Sequence, residues 1–373
     1  MRVLFLSQGR AASGTAMGHV RVIHAIEVAE AAGSVAAGWE RDFDEVAPFA
    51  LWERVLARQV PQGSEFGLYR LRWHLLRSLR ARRLVRRHHR ERVPDVVLVT
   101  TAQVAMLLDG VQADVACVPS LDVTTSDWLR MLLGLSAGAR RLDLRLIEAL
   151  ERRALGRAPL SIAWTGTVAD SVRRLAPGAT VEVLHPGLDL ERFTPGASGR
   201  RRGPFRVLFV GGSWERKGGP ELLRALDGLI GTEVALDVVS SVSLPPRPGL
   251  TVHQLSAASE ELIGLFRAAD VLCLPSHCDA VPWVIAEALA CGLPIVASTV
   301  GSIEEMVGEA GRCVPPGDVA GLRDAIRELA ESPQRRAEMA QVGRFSAEQR
   351  YDARVNTRRL FELLEGVANV DRG

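Results

Sequence analysis

The stretches RVLFLSQG at residues 2–9 and RVLFVGGS at residues 206–213 decide the fold. Each is a short apolar run, rich in branched side chains, that ends in a glycine-containing turn and gives way to a helical pattern. A strand apolar on both faces belongs in a parallel sheet covered by helices on either side. The same strand, loop and helix opening stands at the start of the chain and again past its middle, so the chain reads as α/β with two Rossmann-like halves. Further runs of this kind are DVVLV (95–99) and SIAW (161–164), then VALDVV (234–239), DVLCLP (270–275) and PIVAS (294–298). Between the halves, HPGLDLERFTPGASGRRRGPF at 185–205 is rich in Pro, Gly and Arg and reads as a linker. Two doubly wound domains facing each other would line a deep cleft with the carboxyl ends of their strands, where open α/β sheets bind ligands.

Length and composition agree with that division. A chain of 373 residues exceeds what one core usually serves, and 47% hydrophobic residues suffice for two. No run reaches the ~18 apolar residues of a membrane span, and the apolar part of the opening MRVLFLSQG is too short for a secretory signal. A cytoplasmic protein is expected. Cys117, Cys273, Cys278, Cys291 and Cys313 have no metal or disulfide spacing and read as reduced, mostly buried thiols, so no metal site is expected.

The net charge of +2 is unevenly spread. Residues 68–92 carry ten arginines against Glu91, a local +9 that leaves −7 for the rest. Leu68, Leu71, Leu75 and Leu79 fall at helical spacing, which predicts a basic amphipathic helix. Its plain reading is a surface helix with one buried stripe; its sharper reading is peripheral contact with anionic lipid or an acidic acceptor. No recognisable reader motif accompanies it, so nucleic acid is not expected.

The first half has no GxGxxG. Its loop GRAASGTAMGH (9–19) spaces Gly9, Gly14 and Gly18 more widely, which disfavours a nicotinamide dehydrogenase but suits close approach of backbone N–H groups to phosphate. The densest chemistry is PSHCDAVPWVIAEALACGLPIVAS at 275–298. Pro282 marks a helix start, where the N–H groups of Trp283 and Val284 would form an anion seat. Glu287, about one turn on, could reach a ribose diol, with Asp279 in the preceding loop. Each acid taken alone also fits a solvated or capping role. In SWERKGG (213–219), Arg216 and Lys217 follow the second half's first strand, and Lys217 is the single lysine among 46 basic residues. Two cations and a helix start would converge on one anion, most naturally a diphosphate; a movable ammonium can follow a leaving group where a flat guanidinium cannot. Lys217 is expected as an exposed lysine that contributes little to folding.

These residues resemble the retaining GT-B glycosyltransferases of glycosyltransferase family 4, most specifically over 206–316. FRVLFVGGSWERKGGPELLRAL resembles the family's strand, Lys-bearing loop and helix, and DAVPWVIAEALACGLPIVAS its E-x7-E motif. GSIEEMVGEAGRCVPPGD is similar to its GGxxE helix and following turn, and ALGRAPLSIAWTGTVADSVRRL with VEVLHPGLDLERFTP to the segments entering its linker. The resemblance implies a GT-B fold: an N-terminal acceptor domain over 1–187, a donor domain over 188–345, and a final helix (346–367, within the 346–373 tail) crossing back to the first. It implies that Lys217 contacts the donor diphosphate and Glu287 the ribose. Asp279 and the backbone of Val281, Pro282 and Trp283 would meet the transferred sugar, and Gly14 would lie in a loop closing over the donor. Transfer is expected without metal or cofactor, from a UDP- or GDP-linked sugar, by front-face substitution with retention.

Three positions depart from the family pattern. Gly212 stands where the family often has Arg, with Arg216 as the substitute cation. Asp279 is one methylene shorter than the usual Glu. Asp122, in VPSLDVTTSDW, is the nearest match to a His near the reaction centre. They keep open a catalytically silent sugar-nucleotide or partner-binding protein, and a GT-B sugar-nucleotide epimerase. The acceptor, whether a sugar, a lipid-linked sugar or a small natural product, is not legible. Arginine-rich, lysine-poor usage suggests a bacterial source.

Overall fold

The repeated openings become β1 (Arg2–Ser7) and β7 (Phe205–Val210), and each founds a six-stranded sheet. The computed structural model describes residues 1–7, 17–34, 40–45, 69–100, 105–108, 115–134, 142–196, 203–257 and 259–370. The chain divides into two compact units, 1–186 with 354–373, and 187–353.

In the first unit the strand order is β2-β1-β3-β4-β5-β6. Its further strands are β2 (Glu40–Glu45), β3 (Val96–Thr100), β4 (Ala116–Leu121), β5 (Ser161–Ala163) and β6 (Val181–Val183), all paired in parallel. Val96 to Val99 are fully buried, as two covered faces require. Among the described residues the helices up to the linker are α1 (Met17–Ala31), α2 (Tyr69–Glu91), α3 (Thr125–Leu132), α4 (Leu142–Arg157) and α5 (Gly166–Leu175).

The second unit orders its strands β12-β11-β10-β7-β8-β9, again all parallel. They are β8 (Val234–Val239), β9 (Leu250–His253), β10 (Val271–Leu274), β11 (Ile295–Ser298) and β12 (Gly311–Val314). Alternation along these strands feeds two cores. Val207, Phe209, Val271, Cys273 and Val296 pack on one face, toward α6 (Gly219–Ala225) and α10 (Val319–Glu331). Leu208, Leu272, Leu274, Ile295 and Ala297 pack on the other, toward α7 (Glu260–Ala268) and α8 (Trp283–Ala290). Each fully buried Val, Leu, Ile or Phe among them contributes roughly 1.5–3 kcal/mol. The short α9 (Ile303–Val307) also belongs to this second core.

Two expectations are corrected. The single helix over 346–367 is two, α11 (Pro333–Arg350) and α12 (Ala353–Val370). At the break Tyr351 is buried, and its carbonyl accepts from the Leu188 N–H at 2.6 Å instead of continuing the helix, while the Ala353 N–H reaches the Leu188 carbonyl at 3.1 Å. Beyond it Thr357 bonds the Ala25 carbonyl of α1 at 3.2 Å. In α2 the buried stripe is Leu71, His74, Ser78, Ala81 and Val85, whereas Leu79 is 40% exposed and Leu68 lies outside the described residues. Leu71 is buried and Leu75 packs partly against the core as expected, but the stripe continues through His74, Ser78, Ala81 and Val85 instead of Leu79, where small and polar side chains fill the close approach: Ser78 accepts from the Leu107 N–H at 2.6 Å. Arg72, Arg83, Arg86, Arg87 and Arg90 stay exposed.

All five cysteines are free, and burial pushes the Cys117 thiol up to about 12, which keeps it protonated and inert. Among the described residues no helix is long and apolar enough to cross a membrane, and no cluster of His, Cys, Asp and Glu could hold a metal ion.

Candidate active site

In the second unit the founding strand β7 pairs directly with β10, with Val207 beside Val271 and Leu208 beside Leu272. The strand order reverses here, since β8 and β9 lie on one side of β7 and β11 and β12 beyond β10. Loops leaving adjacent strands at such a point diverge to opposite faces and leave a crevice between them. The loop after β7 carries Arg216 and Lys217; the loop after β10 carries Asp279.

The two loops are cross-tied. The His277 N–H donates to the Arg216 carbonyl at 2.9 Å, and the Arg216 guanidinium donates to the Cys278 carbonyl at 2.6 Å. The Lys217 ammonium donates to Asp279 Oδ2, while Arg216 lies 3.8 Å from Oδ1 and the Ser276 hydroxyl 3.4 Å from Oδ2. Lys217 is therefore not an exposed lysine: its side chain is 12% exposed and that of Asp279 10%. Removing Asp279 takes from Lys217 its ion-pair partner in poorly solvated surroundings, whereas Asp279 has Arg216 and Ser276 beside it as well.

Glycines make the close approach possible. Gly218 has φ +77°, and a Cβ there would stand 2.0 Å from the Pro275 carbonyl. Gly301 has φ +56°, and a Cβ would meet the Asp279 carbonyl at 2.1 Å. The adjacent Ser302 N–H holds the Ala280 carbonyl at 2.9 Å, and Ser298 Oγ holds the Ser276 carbonyl at 2.5 Å, so the β10 loop is fixed from behind. His277 extends the ties to α6, 3.0 Å from Glu221.

α8 starts at Trp283 with Pro282 as its N-cap and no side-chain cap. Helices α3, α5, α7, α10 and α11 are each capped by the side chain of Thr124, Thr165, Ser259, Asp318 or Ser332. α8 shares the missing side-chain cap with α6 and α9, and the positive end of a helix favours a nearby anion. From Val284 to Ala290 the helix is buried on every side, and Glu287, its one charged residue, is only 3% exposed. Gly212 is exposed, with nothing within 4 Å of a Cβ, so room exists there for the larger side chain of the family pattern. The structure thus brings Arg216, Lys217 and Asp279 into contact between the loops after β7 and β10, four residues before the α8 start. Gly14 lies outside the described residues, as does most of its loop.

Asp122 belongs to the first unit, immediately after β4. The turn it opens is held by Glu151 of α4, whose carboxylate accepts from the Thr125 N–H at 2.5 Å, the Ser126 N–H at 3.2 Å and the Ser126 hydroxyl at 3.0 Å. Burial pushes the Glu151 carboxyl up to about 7 against these stabilising bonds. Sequence reading missed Glu151, Ser276, His277 and Ser298; none stands in a pattern of its own, and only the three-dimensional register gives them a role.

Comparison with known proteins falls on this same segment. Residues 204–332 match the family model of Glycosyl transferases group 1. A D-inositol 3-phosphate glycosyltransferase of Saccharomonospora viridis is 30% identical over 256 residues, covering 60% of this chain and 59% of that protein. A glycogen synthase of Mycobacterium tuberculosis is 30% identical over 215 residues, 52% of each chain. The chain thus spans between half and three-fifths of the length of these relatives. Among solved structures, sucrose-phosphate synthase from Thermosynechococcus elongatus superposes with a TM-score of 0.73 at 19% identity, covering 98% of this chain and 99% of that one. Anabaena HepE in complex with UDP-glucose superposes with a TM-score of 0.67 at 19% identity, covering 98% and 100%. The fold is GT-B, as the family resemblance implies: two parallel-sheet α/β domains, the two halves expected from the repeated opening.

Two outcomes follow from this geometry. Gly301→Ala is expected to destabilise by roughly 1–3 kcal/mol in urea unfolding through backbone strain, and further through collision with the Asp279 loop. Gly308→Ala, at φ +49° with open space around it, should show the strain alone. For Glu151, a folded pKa raised above the unfolded ~4.3 means that its stabilising contribution is present at low pH and lost as pH rises through about 7. The urea midpoint of the wild type relative to Glu151→Gln should accordingly fall between pH 5 and pH 8.

Proposed function

We propose that the protein is a glycosyltransferase that moves a hexosyl group from a nucleotide sugar to an acceptor hydroxyl. The observation that carries this reading is the meeting of Lys217 and Arg216 with buried Asp279 at the strand-order reversal, in the loop that leads into α8 and its buried Glu287. The match of residues 204–332 to Glycosyl transferases group 1 supports it, as do relatives named for glycosyl transfer. HepE, solved with UDP-glucose, supports a uridine donor.

In this reading the diphosphate sits at the α8 N-terminus with Lys217 and Arg216 on its oxygens. Breaking the bond between sugar and diphosphate puts negative charge on the leaving oxygen, and both cations gain interaction energy as it develops, which is what accelerates the step. Their charge takes the place of a divalent ion, so the transfer is proposed to need no metal. Glu287 accepts from the ribose diol, Asp279 from a sugar hydroxyl, and the backbone at Val281 to Trp283 lines the sugar, with Val284 completing the helix start. The roles given to Gly14, toward the donor, and to Asp122, toward the acceptor, rest on the family resemblance alone. Retention by front-face substitution, with the leaving oxygen helping to deprotonate the acceptor, rests on the family resemblance. Two of the similar proteins are named for inositol phosphate and sucrose phosphate, which supports a polyol or sugar acceptor. The exposed arginines of α2 are compatible with action in the cytoplasm at an anionic surface.

Thermal shift against UDP, GDP, ADP and TDP and their common sugars tests the reading. One nucleotide should raise Tm, and Lys217→Ala should weaken its binding by about tenfold or more, as a charged hydrogen bond worth ~1.5–3 kcal/mol requires. Glu287→Ala should weaken it as well. Lys217→Ala should also lower the ligand-free Tm, so each shift is read against that variant's own baseline. No shift with any nucleotide contradicts the reading and favours a silent partner-binding protein.

A further inference from the structure

The cation assigned to the diphosphate already has an anion. Lys217 donates to Asp279 Oδ2 in the ligand-free protein, in surroundings where both side chains are nearly covered. Building on the donor-site reading, we propose that Asp279 is the internal counter-ion that a donor diphosphate must displace from Lys217, and that its return to Lys217 expels the nucleoside diphosphate after transfer.

The neighbouring contacts fit such an exchange. A carboxylate abandoned by its only cation in a buried place would resist the change strongly. Asp279 is not so placed: Arg216 stands 3.8 Å from Oδ1 and Ser276 Oγ 3.4 Å from Oδ2, and neither contact runs through Lys217. Arg216 is fixed by its bond to the Cys278 carbonyl at 2.6 Å. The Lys217 stem instead lies along Gly211, whose hydrogen-only face lies where a Cβ would approach the lysine Cγ to 3.0 Å. One cation is held and the other is on a flexible stem, which accounts for the chain's single lysine standing where an arginine's flat fork could not make the same movement.

Competition of this kind lowers affinity by the fraction of time Lys217 is free to bind. A product that shares the diphosphate but lacks the sugar feels the full competition, because no sugar hydroxyl repays Asp279 for the exchange. Substrate binding and product release are thereby set by one carboxylate.

A double-mutant cycle separates this exchange from simple repulsion of an anion by a nearby carboxylate. UDP and GDP binding would be measured by calorimetry on the full chain for the wild type, Asp279→Asn, Lys217→Met and the double variant. Asp279→Ser replaces the first variant should it fail to fold. Removing the carboxylate should tighten nucleoside diphosphate binding by ~10-fold when Lys217 is present and by less than ~2-fold when it is methionine. Equal tightening in both backgrounds would identify ordinary repulsion and overturn the exchange, as would no tightening in either. Failure of all four proteins to bind either nucleotide would overturn the donor-site reading and the exchange together, whereas binding without coupling removes the exchange alone.

Discussion

The second unit depends on the parallel pairing of β7 with β10. That pairing sets two loops side by side that are separated by some sixty residues of sequence, and it does so at the point where the strand order reverses. Everything chemical in the unit is a consequence. The loops are near enough for Arg216 to bond Cys278 and for Lys217 to bond Asp279, and near enough that a side chain at Gly218 would collide with the Pro275 carbonyl oxygen. The pairing itself is held by apolar alternation: Val207 and Val271 face one core, Leu208 and Leu272 the other.

The electrostatics follow from the same geometry. A helix start without a side-chain cap and two cations form a positive site, and Asp279 partly neutralises it from within. In water such an ion pair would be worth little. In a crevice where each side chain is about nine-tenths covered, solvent screens it less and its rearrangement has a measurable cost.

The fold was legible where burial leaves a two-faced signature. Apolar runs such as VVLV and VLCL are readable because both faces are covered by helices. β2, an edge strand of sequence ERDFDE, carries no such signature, and β4 contains Pro119 although it lies inside its sheet. Pro119 is tolerated because the ladder from β4 to β5 begins only at Ser120. The site was legible through residue types in unusual company: one lysine, and one glutamate in an otherwise apolar helix. What sequence could not give was the Lys217–Asp279 bond itself, since an ion pair between distant loops has no period and no spacing. Only part of the buried face of α2 was legible for a related reason: Leu71 was, but His74, Ser78 and Ala81 do not look like core until a neighbour is seen to need their small size or their hydroxyl.

A chain with one lysine offers a direct test of what that lysine touches. Uniform labelling with 15N-lysine gives a single side-chain Nζ resonance to observe by NMR. With the nucleotide sugar that stabilises the protein, that resonance should move to a new bound position, and the corresponding nucleoside without phosphate should leave it where it was. If calorimetry shows the nucleotide sugar bound at saturation while the Lys217 resonance stays unmoved, the diphosphate lies elsewhere and the account given for this site is wrong.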